Sequence, residues 1–208
     1  YYQDNLDLLK EMGANLIYFS PLEDKKLPQN LHGIYIGGGF PEVFAKELEK
    51  NKEMRYEIKS VSEKGMPIYA ECGGMMYLNK TIINFEGKGY EMVGIFDGKT
   101  RMTQRLQRFG YVYVNIKRAC PIACKPVRIK AHEFHRSILE EPVCCEYVYR
   151  VNKIREGKIE KSWKCGLVKN NTLGAYAHIH FYTYKELAKD FIQNCKAFKE
   201  KGSVKIDK

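Results

Sequence analysis

The chain has 208 residues, 44% hydrophobic and 29% charged, a composition that supports one packed domain and excludes a disordered chain. The net charge is +10, but its lysines are spread along the chain with no dense basic arm and no nucleic-acid motif, so no nucleic-acid partner is expected. No apolar run is long enough to span a membrane or reads as a signal peptide, and seven cysteines without framework spacing read as thiols of a reduced, cytoplasmic protein.

The first half alternates between helix and strand. "DNLDLLKEMGA" has helical spacing and ends at a glycine. "NLIYFSPL" reads as a strand followed by a proline turn, and "GIYIGGG" as a strand running into a loop. "PEVFAKELEKNKEMRYEIKSVSEKG" is helical, in two pieces, and stops at Gly65. "MPIYAE" is a buried strand and "GGMMYLNKTI" starts a helix. The alternation predicts an α/β fold with a mostly parallel central sheet flanked by helices. The second half adds strands: "YEMVGIFDGKT", "YVYVNIKR", "PVRIKAHEFH", "CEYVYRVN" and "KCGLVKNNTLGAYAHIHF" have few helices between them. "YTYKELAKDFIQNCKAFKEKG" is a closing amphipathic helix. One domain is expected over residues 1–200, with 201–208 as a tail.

Within "PIYAECGGMMYL", Cys72 stands between a strand and a helix, followed by Gly73 and Gly74. That is the layout of a nucleophile elbow, in which a strained turn lifts the thiol out of the sheet and small neighbours admit a substrate carbonyl. Backbone N–H groups beyond the turn can hold an oxyanion and lower the thiol pKa. A buried structural cysteine fits the same pattern, and the local sequence leaves both readings open. The glycine loop of "GIYIGGGFPE" lacks the Gly-Lys-Ser/Thr ending of a P-loop, and Glu42 stands where a dinucleotide fingerprint requires glycine. It is either a tight turn or a backbone loop that offers an N–H beside the cysteine, at the carboxyl edge of the sheet.

Four of the five histidines lie in two motifs, His132 and His135 in "AHEFHRS" and His178 and His180 in "YAHIHF". On a strand, His178 and His180 share one face, so either can be the base that activates Cys72. A metal site is the rival reading. "HEFH" is not the zincin motif, because position 136 is Arg, and "CPIAC" and Cys144-Cys145 lack finger or ribbon spacing. No metal site is therefore expected.

Taken together, "FSPLEDKKLP", "GIYIGGGFPE", "PIYAECGGMMYL", "EMVGIFDGKTRMTQRLQRFGYV", "AHEFHRS" and "AYAHIHF" resemble, in order and over nearly the whole chain, the glutamine amidotransferase domain of cobyrinic acid a,c-diamide synthase. The nickel-sirohydrochlorin a,c-diamide synthase of methanogens uses the same architecture. The resemblance implies a class I glutamine amidotransferase-like, flavodoxin-like fold that hydrolyses glutamine to glutamate and ammonia. Cys72 matches the family's nucleophile and His178 its catalytic histidine, two places after Tyr176. The backbone of Gly73 and of the Gly38–Gly39 loop would form the oxyanion hole. Ammonia would pass to a synthetase domain, which uses ATP and Mg²⁺ to activate the a and c carboxylates of a tetrapyrrole. No cofactor is implied in this domain itself.

Three departures qualify the resemblance. Classical members carry His-x-Glu, whereas the second position here is His180, which leaves a Cys–His dyad with Glu133 and His135 as candidate helpers. Ala131 and Arg136 stand where the family tends to have glycine and tyrosine, with small effects expected. The synthetase half begins with a P-loop that this chain lacks, and "YYQDN" matches the sequence just after that half. The chain is therefore expected to be the C-terminal part of a longer synthetase, or a subunit that partners an ATP-binding one, and a homodimer is compatible with it. Rival acceptors are those of cobyric acid synthase or a cell-wall amidating enzyme, against which "HEFH" argues. From another class, a non-enzymatic metal- or tetrapyrrole-binding module would use the same His and Cys residues.

Overall fold

A computed structural model describes residues 2–140 and 145–203. Helix α1 (Gln3–Glu11) buries Leu6, Leu8 and Leu9 on one face. Strand β1 (Ile34–Ile36) is followed by α2 (Ala45–Lys50) and α3 (Lys52–Glu63), the expected two-piece helix. Asn51 caps α3 and donates its amide to the carbonyls of Pro21 (2.8 Å) and Asp24 (2.7 Å), so one residue fixes both a helix start and the preceding loop. Strand β2 (Ile68–Glu71) is buried throughout and leads into α4 (Gly73–Leu78).

The remaining elements are β3 (Thr81–Ile83), β4 (Gly89–Glu91), β5 (Lys99–Met102), β6 (Arg108–Ile116), β7 (Val127–His135), β8 (Ser137–Glu140), β9 (Glu146–Arg155), β10 (Lys158–Lys169), β11 (Thr172–Ala175) and the closing α5 (Lys185–Ser203). Seven strands form the main sheet in the order β1-β2-β11-β10-β9-β6-β7, and β4-β3-β5-β8 form a smaller one. Strands β9 and β10 meet in a tight hairpin whose two turn residues, Glu156 and Gly157, have φ of 50° and 77°. Both values are positive, as the right-handed twist of a two-residue hairpin requires.

The main sheet is mixed. Only β1, β2 and β11 run parallel; β10, β9, β6 and β7 join antiparallel. The parallel part is thus shorter than strand–helix alternation predicts, because the second half connects its strands by hairpins and not by crossover helices. "NLIYFSPL" is not a strand. Leu16 and Phe19 pack against the core while Ile17 and Tyr18 are exposed, a spacing that does not fit the two-residue repeat of a pleat. Strand β11 stops at Ala175, so His178 and His180 follow it in a loop. Helix α5 continues to Ser203, past the expected boundary at residue 200; residues 204–208 of the expected tail, and Cys144, lie outside the described residues.

Candidate active site

The site forms where the parallel strands end. Cys72 follows β2 and donates its backbone N–H to Ala175 O (2.7 Å) at the end of β11. Its backbone has φ 47° and ψ −107°. A side-chain-bearing residue is strained there, by about 1–3 kcal/mol, and such strain is found where a structure must aim one side chain. The elbow expected from the sequence is therefore present, at Cys72.

Backbone packs directly on backbone around it. A Cβ on Gly73 would lie 2.5 Å from Gly39 O and 2.8 Å from Gly39 N, and one on Gly74 would lie 2.6 Å from Ile36 O. A Cβ on Gly38 would meet His178 Cε1 at 2.7 Å. The glycine loop is thus wedged between the residue that follows Cys72 and the imidazole of His178. This brings Gly38, Gly39, Gly73, Cys72 and His178 together, as the resemblance implies. Strand β7 closes the other side: Phe134 O stands 3.9 Å from Cys72 Sγ, and His132 and His178 exchange backbone hydrogen bonds of 3.1 and 2.8 Å.

Burial sets the protonation states. It pushes the Cys72 thiol up to about 12; the Gly73 N–H opposes this, and the carboxylates of Glu42, Glu71 and Glu133 add to it. The expectation that backbone N–H groups lower this thiol's pKa is overturned, since the one at Gly73 is outweighed by desolvation. Burial also depresses His178 to about 4, with His132 acting in the same direction. At neutral pH the pair rests as thiol and neutral imidazole. Such a site does not store a thiolate.

The accessory candidates divide. His180 leaves the site: its Nε2 pairs with Asp4 Oδ2 at 3.0 Å near the surface. The shared face expected for His178 and His180 is lost because the strand has ended. His135 lies in a second cluster, stacked on Tyr176 with ring centroids 3.7 Å apart, its Nδ1–H donated to Ser137 O (2.9 Å). Burial holds it down at about 4. Glu133, fully buried, lies 3.9 Å from His135 Nε2, and neither of its oxygens reaches a hydrogen-bond partner among the described residues. Burial raises it to about 7, and Arg108 and the nearby Trp163 indole counter that only in part. His135 also lines a cavity of about 390 Å³ with Arg108, Trp163, Cys165 and Tyr176. No group of three or more His, Cys, Asp or Glu among the described residues is placed to hold a metal, and the six described cysteines are free thiols.

One residue was not singled out by sequence. Glu71, 1% exposed, accepts hydrogen bonds from Tyr69 Oη (2.6 Å), Tyr35 Oη (2.8 Å) and Ile179 N (2.9 Å), and its Oε2 lies 4.0 Å from His178 Nδ1. Its signal in the sequence was a carboxylate inside an otherwise apolar strand, adjacent to the candidate nucleophile.

The sequence profile of the CobB/CobQ-like glutamine amidotransferase domain matches residues 1–185. The chain belongs to that family. It is 52% identical over 201 residues to the cobyrinate a,c-diamide synthase of Caldanaerobacter subterraneus subsp. tengcongensis, covering 97% of this chain and 44% of that protein. It is 51% identical over 184 residues to the enzyme of the same name from Listeria innocua, covering 88% of this chain and 39% of that protein. The chain thus spans less than half the length of the curated relatives it matches. A solved glutamine amidotransferase superposes with a TM-score of 0.65 at 14% identity, covering 94% of each chain, a likeness of fold. Among the described residues no helix is long and apolar enough to cross a membrane.

Proposed function

We propose that this chain is the glutaminase unit of a tetrapyrrole a,c-diamide synthase of the cobyrinate type. The observation that carries the reading is Cys72, held at φ 47° on the strand-to-helix turn, with the glycine loop packed on one side against Gly73 and on the other against the His178 imidazole. The names of the relatives support cobyrinate as the acceptor, with nickel-sirohydrochlorin as the alternative macrocycle.

The chemistry follows from the resting protonation. Glutamine enters with its side-chain carbonyl over Cys72. His178 takes the thiol proton as sulfur attacks the carbonyl carbon, and N–H groups of Gly73 and of the Gly38–Gly39 loop receive the developing oxyanion. The imidazolium returns the proton to the leaving nitrogen, and ammonia departs. Water then attacks the thioester, with His178 again as base, and glutamate leaves. The burial that raises the thiol to about 12 disfavours a free thiolate, so nucleophile formation is tied to the bound substrate. In this reading ATP and Mg²⁺ act in a synthetase domain or subunit outside this chain, where the a and c carboxylates are activated and the ammonia released here is consumed.

The test is to follow glutamine-dependent and ammonia-dependent amidation of cobyrinate in the full-length enzyme. Cys72→Ala is expected to abolish the first and spare the second. Equal loss of both would mean that Cys72 serves structure or acceptor binding, and the proposed role would be discarded.

A further inference from the structure

A base that accepts a proton from a thiol works best when a neighbouring acceptor fixes its tautomer and balances its charge. The residue two places after His178 cannot do this, because His180 is turned away to Asp4. The geometry points to Glu71, the residue preceding the nucleophile, as the positioning residue for His178. This inference rests on the reading of Cys72 and His178 as nucleophile and base.

Strand β2 places Tyr69 and Glu71 on one face, since they are two residues apart. Both carboxylate oxygens are then engaged by donors: Tyr69 Oη and Ile179 N at Oε1, and Tyr35 Oη at Oε2. All three partners donate. An ionised carboxylate, which only accepts, satisfies all three at once; a protonated acid would need one tyrosine hydroxyl to turn and accept its O–H. Burial is the largest effect and leaves the Glu71 pKa above the ordinary carboxylate value; these same three hydrogen bonds oppose it without cancelling it.

The carboxylate acts on His178 in two ways. Its Oε2 stands 4.0 Å from the ring Nδ1, and its Oε1 anchors the N–H of Ile179, the residue next in the chain. Asn5 locks the same loop from α1, donating to Ile179 O (2.7 Å) and accepting from Phe181 N (2.7 Å). Among the described residues, the titratable groups that face or act on the imidazole are Glu71 from β2 and His132 and His135 from β7; Gly37, Gly38 and Gly39 bring no side-chain charge. Glu71 is thus the counter-ion within reach of Nδ1 among the described residues.

In the reaction, the Cys72 S–H proton moves to His178 Nε2 while the sulfur–carbon bond forms and the amide π pair passes to oxygen. Glu71 stays ionised throughout. It keeps the Nδ1–H tautomer, so that Nε2 is free to accept, and it faces the imidazolium once that forms. At 4.0 Å the two groups are not hydrogen-bonded; the proposal requires the contact to shorten as the imidazolium forms, as catalytic hydrogen bonds often do between the substrate-free and the reacting state.

The test uses 6-diazo-5-oxo-norleucine, a glutamine analogue that alkylates the nucleophile, on the full-length protein. Glu71→Gln keeps the shape of the side chain but removes its charge, and is expected to lower the maximal inactivation rate about 10- to 100-fold with little change in half-saturation. It should also alter the pH profile of inactivation, which a purely structural role would not. His180→Gln is expected to leave the rate unchanged. Should Glu71→Gln fold poorly, the wild-type protein decides: ¹⁵N-histidine spectra, with His178 identified through His178→Gln, are expected to show the Nδ1–H tautomer. An Nε2–H tautomer, or a Glu71→Gln protein with the wild-type rate and pH profile, would overturn the inference. Absence of labelling at Cys72, or an unchanged rate in His178→Gln, would instead show that the dyad reading itself has failed, and the role of Glu71 would fall with it.

Discussion

Gly73→Ala separates the function of the elbow from its stability. The added methyl would lie 2.5 Å from Gly39 O, 2.8 Å from Gly39 N and 2.9 Å from Gly39 C. These are backbone atoms and cannot rotate away. To reach ordinary contact, near 3.5 Å for carbon, the glycine loop and the elbow must part by about 1 Å. Overpacking of this kind costs about 1–3 kcal/mol, or about 3–10 °C in Tm for a chain of this size. The same displacement moves the Gly39 and Gly73 N–H groups out of the positions in which they are proposed to receive the oxyanion. A misplacement of about 1 Å costs on the order of 10²-fold in rate, equivalent to about 3 kcal/mol of transition-state stabilisation. The assay pairs thermal melting with the rate of glutamine hydrolysis. The account predicts a folded protein, modestly destabilised, with its rate down about 100-fold. A Gly73→Ala protein with the wild-type melting temperature and rate would refute the argument that loop and elbow are in forced contact.

Two further predictions concern strain and charge. Cys72→Gly should be more stable than Cys72→Ala by about 1–2 kcal/mol in chemical denaturation, the reverse of the usual order, because φ 47° strains any side chain; a more stable alanine variant would contradict the backbone reading. Glu133, raised from 4.5 to about 7, contributes stability at low pH that is lost as pH rises through 7, whereas His135 and His178, lowered from 6.5 to about 4, contribute stability above pH 6.5 that is lost as pH falls toward 4. Glu133→Gln removes only the first of these effects, so its unfolding free energy should gain on the wild type by about 3 kcal/mol between pH 4.5 and 7; a constant difference across that range would rule out a perturbed Glu133.

Much of the site is legible in the sequence because its logic is local. A strand, a cysteine and two glycines specify an elbow, and a glycine loop can pack against it only where both backbones lack side chains, as Gly39 and Gly73 do. His178 is identifiable from its motif but not its surroundings, since the partners of an imidazole depend on contacts distant in sequence. Glu71 illustrates the limit. Its donors Tyr35 and Ile179 are 36 and 108 residues away, so neither its hydrogen bonds nor its approach to His178 can be read from the chain. The same holds for the thiol: helix-terminal N–H groups are local and visible, whereas the burial that outweighs them is a product of the whole fold. The misjudged strand at "NLIYFSPL" has a similar origin, because a short apolar run does not disclose whether a neighbouring strand will pair with it.

The central claim is that Cys72 is a nucleophile that reads glutamine. Its most direct test is to treat the full-length protein with 6-diazo-5-oxo-norleucine and map the adduct by peptide mass spectrometry. The account predicts a single stoichiometric adduct at Cys72, suppressed by glutamine and absent from Cys72→Ala. Labelling elsewhere, or an adduct at Cys72 that glutamine does not suppress, would contradict it.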